Sequence, residues 1–224
     1  MNAIWENIVD FMPSLLQGTV ITIELTILSL ILSLILGLIV ALGRLSKNKV
    51  INRICSIYIS IVRGTPLLVQ MMYVYFVFPS FGITLTAFQS AIIALSFNEG
   101  GYLAETFRAG IKAVPTGQME AAKAVGMDYS KAMQRIILPQ AFSNVLPAIG
   151  NSAIILIKNS SLAAVITVTE VMHQGNLLAA STYQNMLIFT LVAIIYWILH
   201  YPLAIAVNYL EKRGGKRNVT ASQH

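Results

Sequence analysis

The chain has little of what a soluble domain or an enzyme is made from. Of its 224 residues only 11% are charged, three are histidine and one is cysteine, whereas 56% are hydrophobic and the mean hydropathy is +0.72. A water-soluble fold of this size could not hide so much apolar surface, so the solvent for most of the chain is lipid. The lone Cys55 excludes an internal disulfide and a thiolate cluster, and reads as a small apolar residue. His173 and His200 stand singly, without partners at metal-ligand spacing, so no metal site is expected. No Lys or Arg precedes Arg44, which excludes the basic start of a cleavable signal peptide; the first apolar segment is expected to stay in the mature protein. The net charge of +6 has no aromatic-interleaved basic stripe behind it, so no nucleic acid is expected as a partner. Paired histidines, His/Cys clusters and nucleophile-base motifs are missing from the apolar runs, which argues against a membrane-embedded enzyme.

What is present is a set of long apolar runs. Stretches such as Ile27 to Leu42 lack the alternation of a transmembrane β-barrel, and a helix satisfies its own backbone in lipid, so the fold is read as all-α and polytopic. Charge, Pro and Gly divide the runs into five spans at about 19–43, 64–79, 86–110, 140–166 and 184–209. One membrane domain over 1–212 and a polar tail over 213–224 follow. All fifteen basic residues except Arg63 and Lys158 fall at one set of span ends: Arg44, Lys47, Lys49 and Arg53; Arg108, Lys112, Lys123, Lys131 and Arg135; Lys212, Arg213, Lys216 and Arg217. The positive-inside rule makes that side cytoplasmic, with the N-terminus outside and the C-terminus inside. The segments 1–18, 80–85 and 167–183 then face outward; they carry Glu6, Asp10 and Glu170 and no Lys or Arg.

Within the first span, Ser29, Ser33, Gly37 and Ala41 recur every four residues, a stripe along which another helix can approach closely. Arg63-Gly64-Thr65-Pro66 interrupts the approach to the second, so residues 54–63 read as a separate, interfacial turn of helix and the span itself as starting at Pro66.

Between the third and fourth spans, Pro115 to Gly126 has the order of a short exposed helix: Pro in the first turn, Glu120 near the positive end, then alanines, then a stopping glycine. It is too polar to span and too regular for a linker. Glu120-Ala121-Ala122, Gly126 and Ile136-Ile137-Leu138-Pro139 match in type and spacing the EAA loop of permease subunits of bacterial ABC importers, which the chain resembles over about residues 15–212. Arg63-Gly64-Thr65-Pro66, Gly101-Tyr102-Leu103-Ala104-Glu105-Thr106-Phe107-Arg108 and Lys158-Asn159-Ser160-Ser161-Leu162 resemble the polar amino acid branch of that family.

The resemblance implies a type I importer fold in the bacterial cytoplasmic membrane. It also implies that residues 118–127, with Gln118, Glu120, Ala121, Ala122 and Gly126, form a coupling helix seated on an ATPase subunit. The implied partners are two ATPase subunits carrying ATP and Mg, a second permease subunit expected to be an identical copy, and an extracytoplasmic binding protein. This chain has no G-x-x-x-x-G-K-[ST] phosphate loop, and Gly214-Gly215-Lys216 has neither the spacing nor the hydroxyl residue, so no cofactor of its own is expected.

Polar groups inside the spans are the candidate substrate ligands. Asn98 and Glu99 fall near the middle of the third span with Tyr102 one turn on, where all three line one helix edge. Gln70 is the polar residue of the second span. Lys158, Ser160 and Ser161 interrupt the fourth, where a helix break would present backbone donors to a carboxylate. These groups suit a zwitterion, with Glu99 meeting the ammonium or a basic side chain. The resemblance implies a small or hydroxyl residue at that point, so the carboxylate favours arginine, lysine or histidine, ahead of glutamine, glutamate or another polar amino acid. The competing readings are a structural Glu99–Lys158 ion pair, a helix-bonding role for Gln70, and helix contact for Glu24. Glu105 and Arg108 read as a structural or gating pair; Tyr196, Trp197 and Tyr201 read as packing or an inner aromatic belt. An ion-coupled secondary transporter would also place Glu99 in the membrane, but would have no use for the EAA helix.

Overall fold

A computed structural model describes the backbone of residues 2–221 and the side chains of residues 6–212. Every regular element among them is helical. The chain runs through α1 (Asn2–Leu45), α2 (Lys49–Gly64), α3 (Leu67–Met72), α4 (Ala87–Lys112), α5 (Thr116–Ala124), α6 (Tyr129–Ala132), α7 (Leu138–Asn159), α8 (Val171–Thr182) and α9 (Asn185–Ala221). A π segment (Tyr73–Val77) and a 3₁₀ turn (Phe78–Phe81) extend α3, a π segment (Met133–Ile137) joins α6 to α7, and a 3₁₀ segment (Ser160–Ile166) extends α7.

Three continuous helical stretches among the described residues are long and apolar enough to cross a membrane unaided: Glu6–Leu45, Tyr129–Ile166 and Asn185–Lys212. The second crossing is broken. Leu67–Phe81 is roughly 22 Å long at the α-helical rise, short of an apolar layer of about 30 Å, and α2 meets it at 107°. The separate turn expected at 54–63 begins earlier, at Lys49, and with Leu67–Phe81 makes a bent helix pair of the kind found in broken spans and re-entrant loops. Its Cys55 lies against Gly43, its Ile59 is buried with Val40 and Ala104, and its Val62 packs on Gly101, so it climbs along α1 to the middle of α4.

The remaining crossing, α4, is long but polar, with Asn98, Glu99, Glu105 and Arg108 along its length. It is shielded by packing on α1, α2, α3 and α7. The closest approach is to α1. Ser29, Ser33 and Ala41 are fully buried, and a Cβ at Gly37 would stand 2.8 Å from Leu103 Cβ and 3.2 Å from Gly100 O. The small-residue stripe is where the two backbones meet.

The segments expected to face outward are more ordered than loops. Residues 2–18 continue α1, because Phe11 and Leu15 bury themselves against Val171, Ile188 and Val192. Residues 171–182 form α8, capped by Glu170, whose carboxylate accepts from the N–H groups of Met172 and His173 at 2.9 and 2.8 Å and from Tyr196 OH at 2.6 Å. Thr22 Oγ1 accepts from Val171 N–H at 3.3 Å, so α1, α8 and α9 join at this residue. Tyr196 is thus tied to Glu170 rather than set in an aromatic belt, whereas Trp197 and Tyr201 stack on each other on an exposed face. Within the segment read as a polar tail, the backbone stays helical to Ala221, and residues 222–224 lie outside the described residues.

Candidate functional site

The break in the second crossing is built by Gly64, Thr65 and Pro66. Thr65 and Pro66 are extended (φ/ψ −122°/143° and −63°/138°). Pro66 has no N–H, so Val62 O loses its helical partner four residues on. Gln70 replaces it: Nε2 donates to Val62 O at 3.0 Å, Thr65 O at 3.1 Å and Thr65 Oγ1 at 2.8 Å, while Oε1 accepts from Asn98 Nδ2 at 3.2 Å. The amide of Gln70 is thus spent on stapling the break to α4, and Gln70 does not line the cleft beside it.

That cleft has a volume of about 670 Å³. One wall is Arg63 to Leu67 at the break, the second is Asn98, Glu99, Tyr102 and Thr106 on α4, and the third is Ala148, Asn151, Ser152, Ile155 and Asn159 on α7. The expected trio Asn98, Glu99 and Tyr102 is brought together here. Glu99 is 3% exposed, and the Ser152 hydroxyl bonds to it across the cleft. Its carboxyl has no cationic partner; the ion pairs among the described residues are Arg108–Glu105 and Lys131–Asp128. The cation that the cleft offers is Arg63, whose guanidinium lies over the Tyr102 ring, 5.5 Å from its centroid.

The fourth crossing departs from expectation. Lys158 is exposed, lies outside the cleft and does not pair with Glu99. The helix does not break at Ser160: Asn159 and Ser160 keep helical dihedrals, and the Ser160 N–H is engaged by Leu156 O. The hydroxyls of Ser160 and Ser161 donate back to Ile157 O and Lys158 O, each at 2.7 Å. The helix tightens into 3₁₀ geometry because these hydroxyls satisfy its carbonyls locally. Its reversal comes at Thr167 (φ 66°). Arg63, Asn151, Ser152 and Asn159 were missed as site residues. The signal was there: Asn151, Ile155 and Asn159 recur at four-residue spacing, and two polar side chains on one face of an apolar run mark a lined cavity.

Glu105 and Arg108 do pair, at 2.5 and 3.0 Å, one turn below the cleft. Glu24 is exposed, beside Thr86 at the opposite end of α4.

The second functional element is α5. Pro115 opens it, and a Schellman motif closes it: Gly126 N–H donates to Lys123 O at 2.9 Å, Met127 N–H to Ala122 O at 3.0 Å, and Gly126 takes φ 81°. Ala122 is buried, and Met119 is partly buried against the cluster formed by Ile111, Val114, Ile137 and Ala141. Gln118, Glu120 and Ala121 face outward, and Val125 is 78% exposed. α5 is thus a regular helix held by one buried edge, with an apolar residue exposed at its end.

A polar cleft beside a broken helix, with a short exposed helix between two long apolar stretches, is an arrangement suited to a helical membrane permease. The chain belongs to the family described as binding-protein-dependent transport system inner membrane components, whose model matches residues 33–215. It is 43% identical to the L-cystine transport system permease protein TcyB of Bacillus subtilis over 91% of this chain and 88% of that one. It is 37% identical to the arginine transport system permease protein ArtQ of the same organism, over 95% and 98%. A crystal structure of an amino acid ABC transporter with histidines superposes with TM-score 0.85 at 36% identity, covering 92% of this chain and 97% of that one. The inward-facing MetNI methionine transporter, at 21% identity and TM-score 0.77, shares the fold. The chain is therefore an amino acid ABC importer permease subunit of the inner membrane, not an enzyme; ATP hydrolysis belongs to a separate subunit.

Proposed function

We propose that this subunit carries basic amino acids inward, holding the substrate in the cleft between the broken span, α4 and α7. The observation that supports it most is Glu99, a carboxyl buried in the cleft wall with Ser152 as its neighbour and no cation beside it. A buried carboxylate without a counter-charge is costly, and a cationic ligand supplies the missing charge. Arg63 suits the α-carboxylate, through the paired donors of a guanidinium. Asn98, Tyr102, Asn151 and Asn159 offer the further polar contacts.

The drive enters through α5. We take its exposed face, with Gln118, Glu120, Ala121 and the Val125 tip, as the seat for one ATPase of a pair that binds ATP and Mg. Through Met119 it rests on the cluster of Ile111, Val114, Ile137 and Ala141, at the end of α4 and the start of α7. Those two helices carry Glu99 and Ser152, so displacement of α5 moves opposite walls of the cleft, as alternating access requires. Charge asymmetry supports placing α5 and the C-terminus in the cytoplasm and the N-terminus outside, toward an extracytoplasmic binding protein. A second, identical permease subunit closes the open side of the cleft: Lys158 lies exposed beside it, and an ammonium at that depth needs a protein partner rather than hydrocarbon.

The test is ATP-dependent uptake by the reconstituted complex with arginine, lysine, histidine, glutamine and cystine. Arginine uptake should fall more than glutamine uptake in Glu99→Gln; equal retention of both sinks the role of Glu99. The relative named for L-cystine gives a second reading, a doubly zwitterionic cargo for the same cleft. Cystine uptake without arginine uptake decides for it.

A further inference from the structure

We propose that the turn between α1 and α2 is a binding site for the phosphate headgroup of an anionic phospholipid. A pocket of about 350 Å³ opens there, lined by Arg44, Lys47, Lys49 and Arg53 with Ser46, Asn52 and Ser56 between them. Positive charge at span ends is ordinary, and topology alone would be served by cations scattered in solvent. Here they converge on a concave polar surface, and one is held in place. Arg44 Nη1 donates to Asn52 Oδ1 and Asn52 Nδ2 donates back to Arg44 O, both at 2.6 Å, which fixes the guanidinium across the α1–α2 turn. Its Nε is buried and has no acceptor. A donor buried without an acceptor is costly, and a phosphate oxygen is the acceptor its geometry suits.

The site also has no anion of its own. Glu105, the carboxylate that feels Arg44, is held by Arg108 at 2.5 Å, and Lys47, Lys49 and Arg53 make no ion pair among the described residues. The start of α2 adds its dipole, with Asn48 capping the N–H groups of Val50 and Ile51.

A lipid is favoured as the source of the phosphate by what surrounds the pocket. The side of α2 next to its basic face carries Val50, Ile54, Ile57 and Ile61, exposed at 66%, 62%, 49% and 56%. These recur at helical spacing and form a stripe against which acyl chains lie while the headgroup reaches the cations. The pocket sits where α1 leaves its apolar run. It is separate from the substrate cleft, and the inference stands whichever amino acid is carried.

The test is native mass spectrometry of the full-length chain released from detergent, titrated with phosphatidylglycerol and, separately, phosphatidylcholine. Phosphatidylglycerol should bind at least about tenfold more tightly. Each cation near a lipid surface is worth about fivefold in affinity, so a triple variant K47Q/K49Q/R53Q should lose about a hundredfold for phosphatidylglycerol and keep its phosphatidylcholine binding. The variant leaves the Arg44–Asn52 bonds in place; should it fail to fold, Lys47→Gln, at an exposed turn position, should cost about fivefold. Unchanged phosphatidylglycerol binding in either variant overturns the proposal. Displacement of the lipid by millimolar inorganic phosphate also overturns it, by assigning the pocket to a free anion.

Discussion

Replacing Gln70 by Leu keeps the side-chain volume and removes every hydrogen bond that staples the broken span. Val62 O would be left with no donor, since its helical partner is Pro66, and Asn98 Nδ2, on a residue 6% exposed, would lose its acceptor. Leaving a buried polar group unsatisfied costs about 1–3 kcal/mol, and with two such groups partly relieved by cleft water the loss is about 2–4 kcal/mol. For a chain of this length that lowers the unfolding midpoint by roughly 4–16 °C. The assay is thermal unfolding of the purified chain in one detergent, followed by intrinsic fluorescence, with wild type, Gln70→Leu, Asn98→Ala and the double variant. Because the two residues share a bond, their effects should fall short of additivity by about 1 kcal/mol. A Gln70→Leu midpoint equal to wild type, or strict additivity, would refute the staple.

Gly18→Ala should destabilise by about 1–3 kcal/mol, since the new Cβ would lie 2.9 Å from backbone atoms of Glu170 and Val171 that cannot swing aside; an unshifted unfolding curve counts against it. Tyr196→Phe removes a 2.6 Å bond to the buried Glu170 carboxyl and should cost about 1.5–3 kcal/mol in the same measurement. Gly126→Ala forces a Cβ into a left-handed residue, a penalty of about 1–2 kcal/mol, that frays the end of α5; ATP-driven uptake should drop more than unfolding stability. Neutralising the partly exposed Glu105–Arg108 pair should change stability by less than about 1 kcal/mol, and a larger loss would show that the pair is buried by a partner.

The solvent, the helical class and the EAA helix with its glycine stop were legible in the sequence. All of these rest on composition or on residues close together in the chain. The stripe of Ser29, Ser33, Gly37 and Ala41 was legible for the same reason, because helical period fixes which residues share a face. Asn98, Glu99 and Tyr102 fell together by that period too. What needed the tertiary structure was every pairing between helices. Gln70 is open to a ligand or a helix-bonding reading from sequence, and the structure favours the second because Pro66 leaves Val62 O without a donor and Asn98 is within reach. The competing reading of a Glu99–Lys158 ion pair fails because α7 turns Lys158 outward and presents Ser152 instead. Tyr196 gained its role from Glu170, twenty-six positions away. The break expected at Gly64–Pro66 forms and the one expected at Ser160 does not, since serine hydroxyls can satisfy their own helix whereas proline removes a donor that only another element can replace.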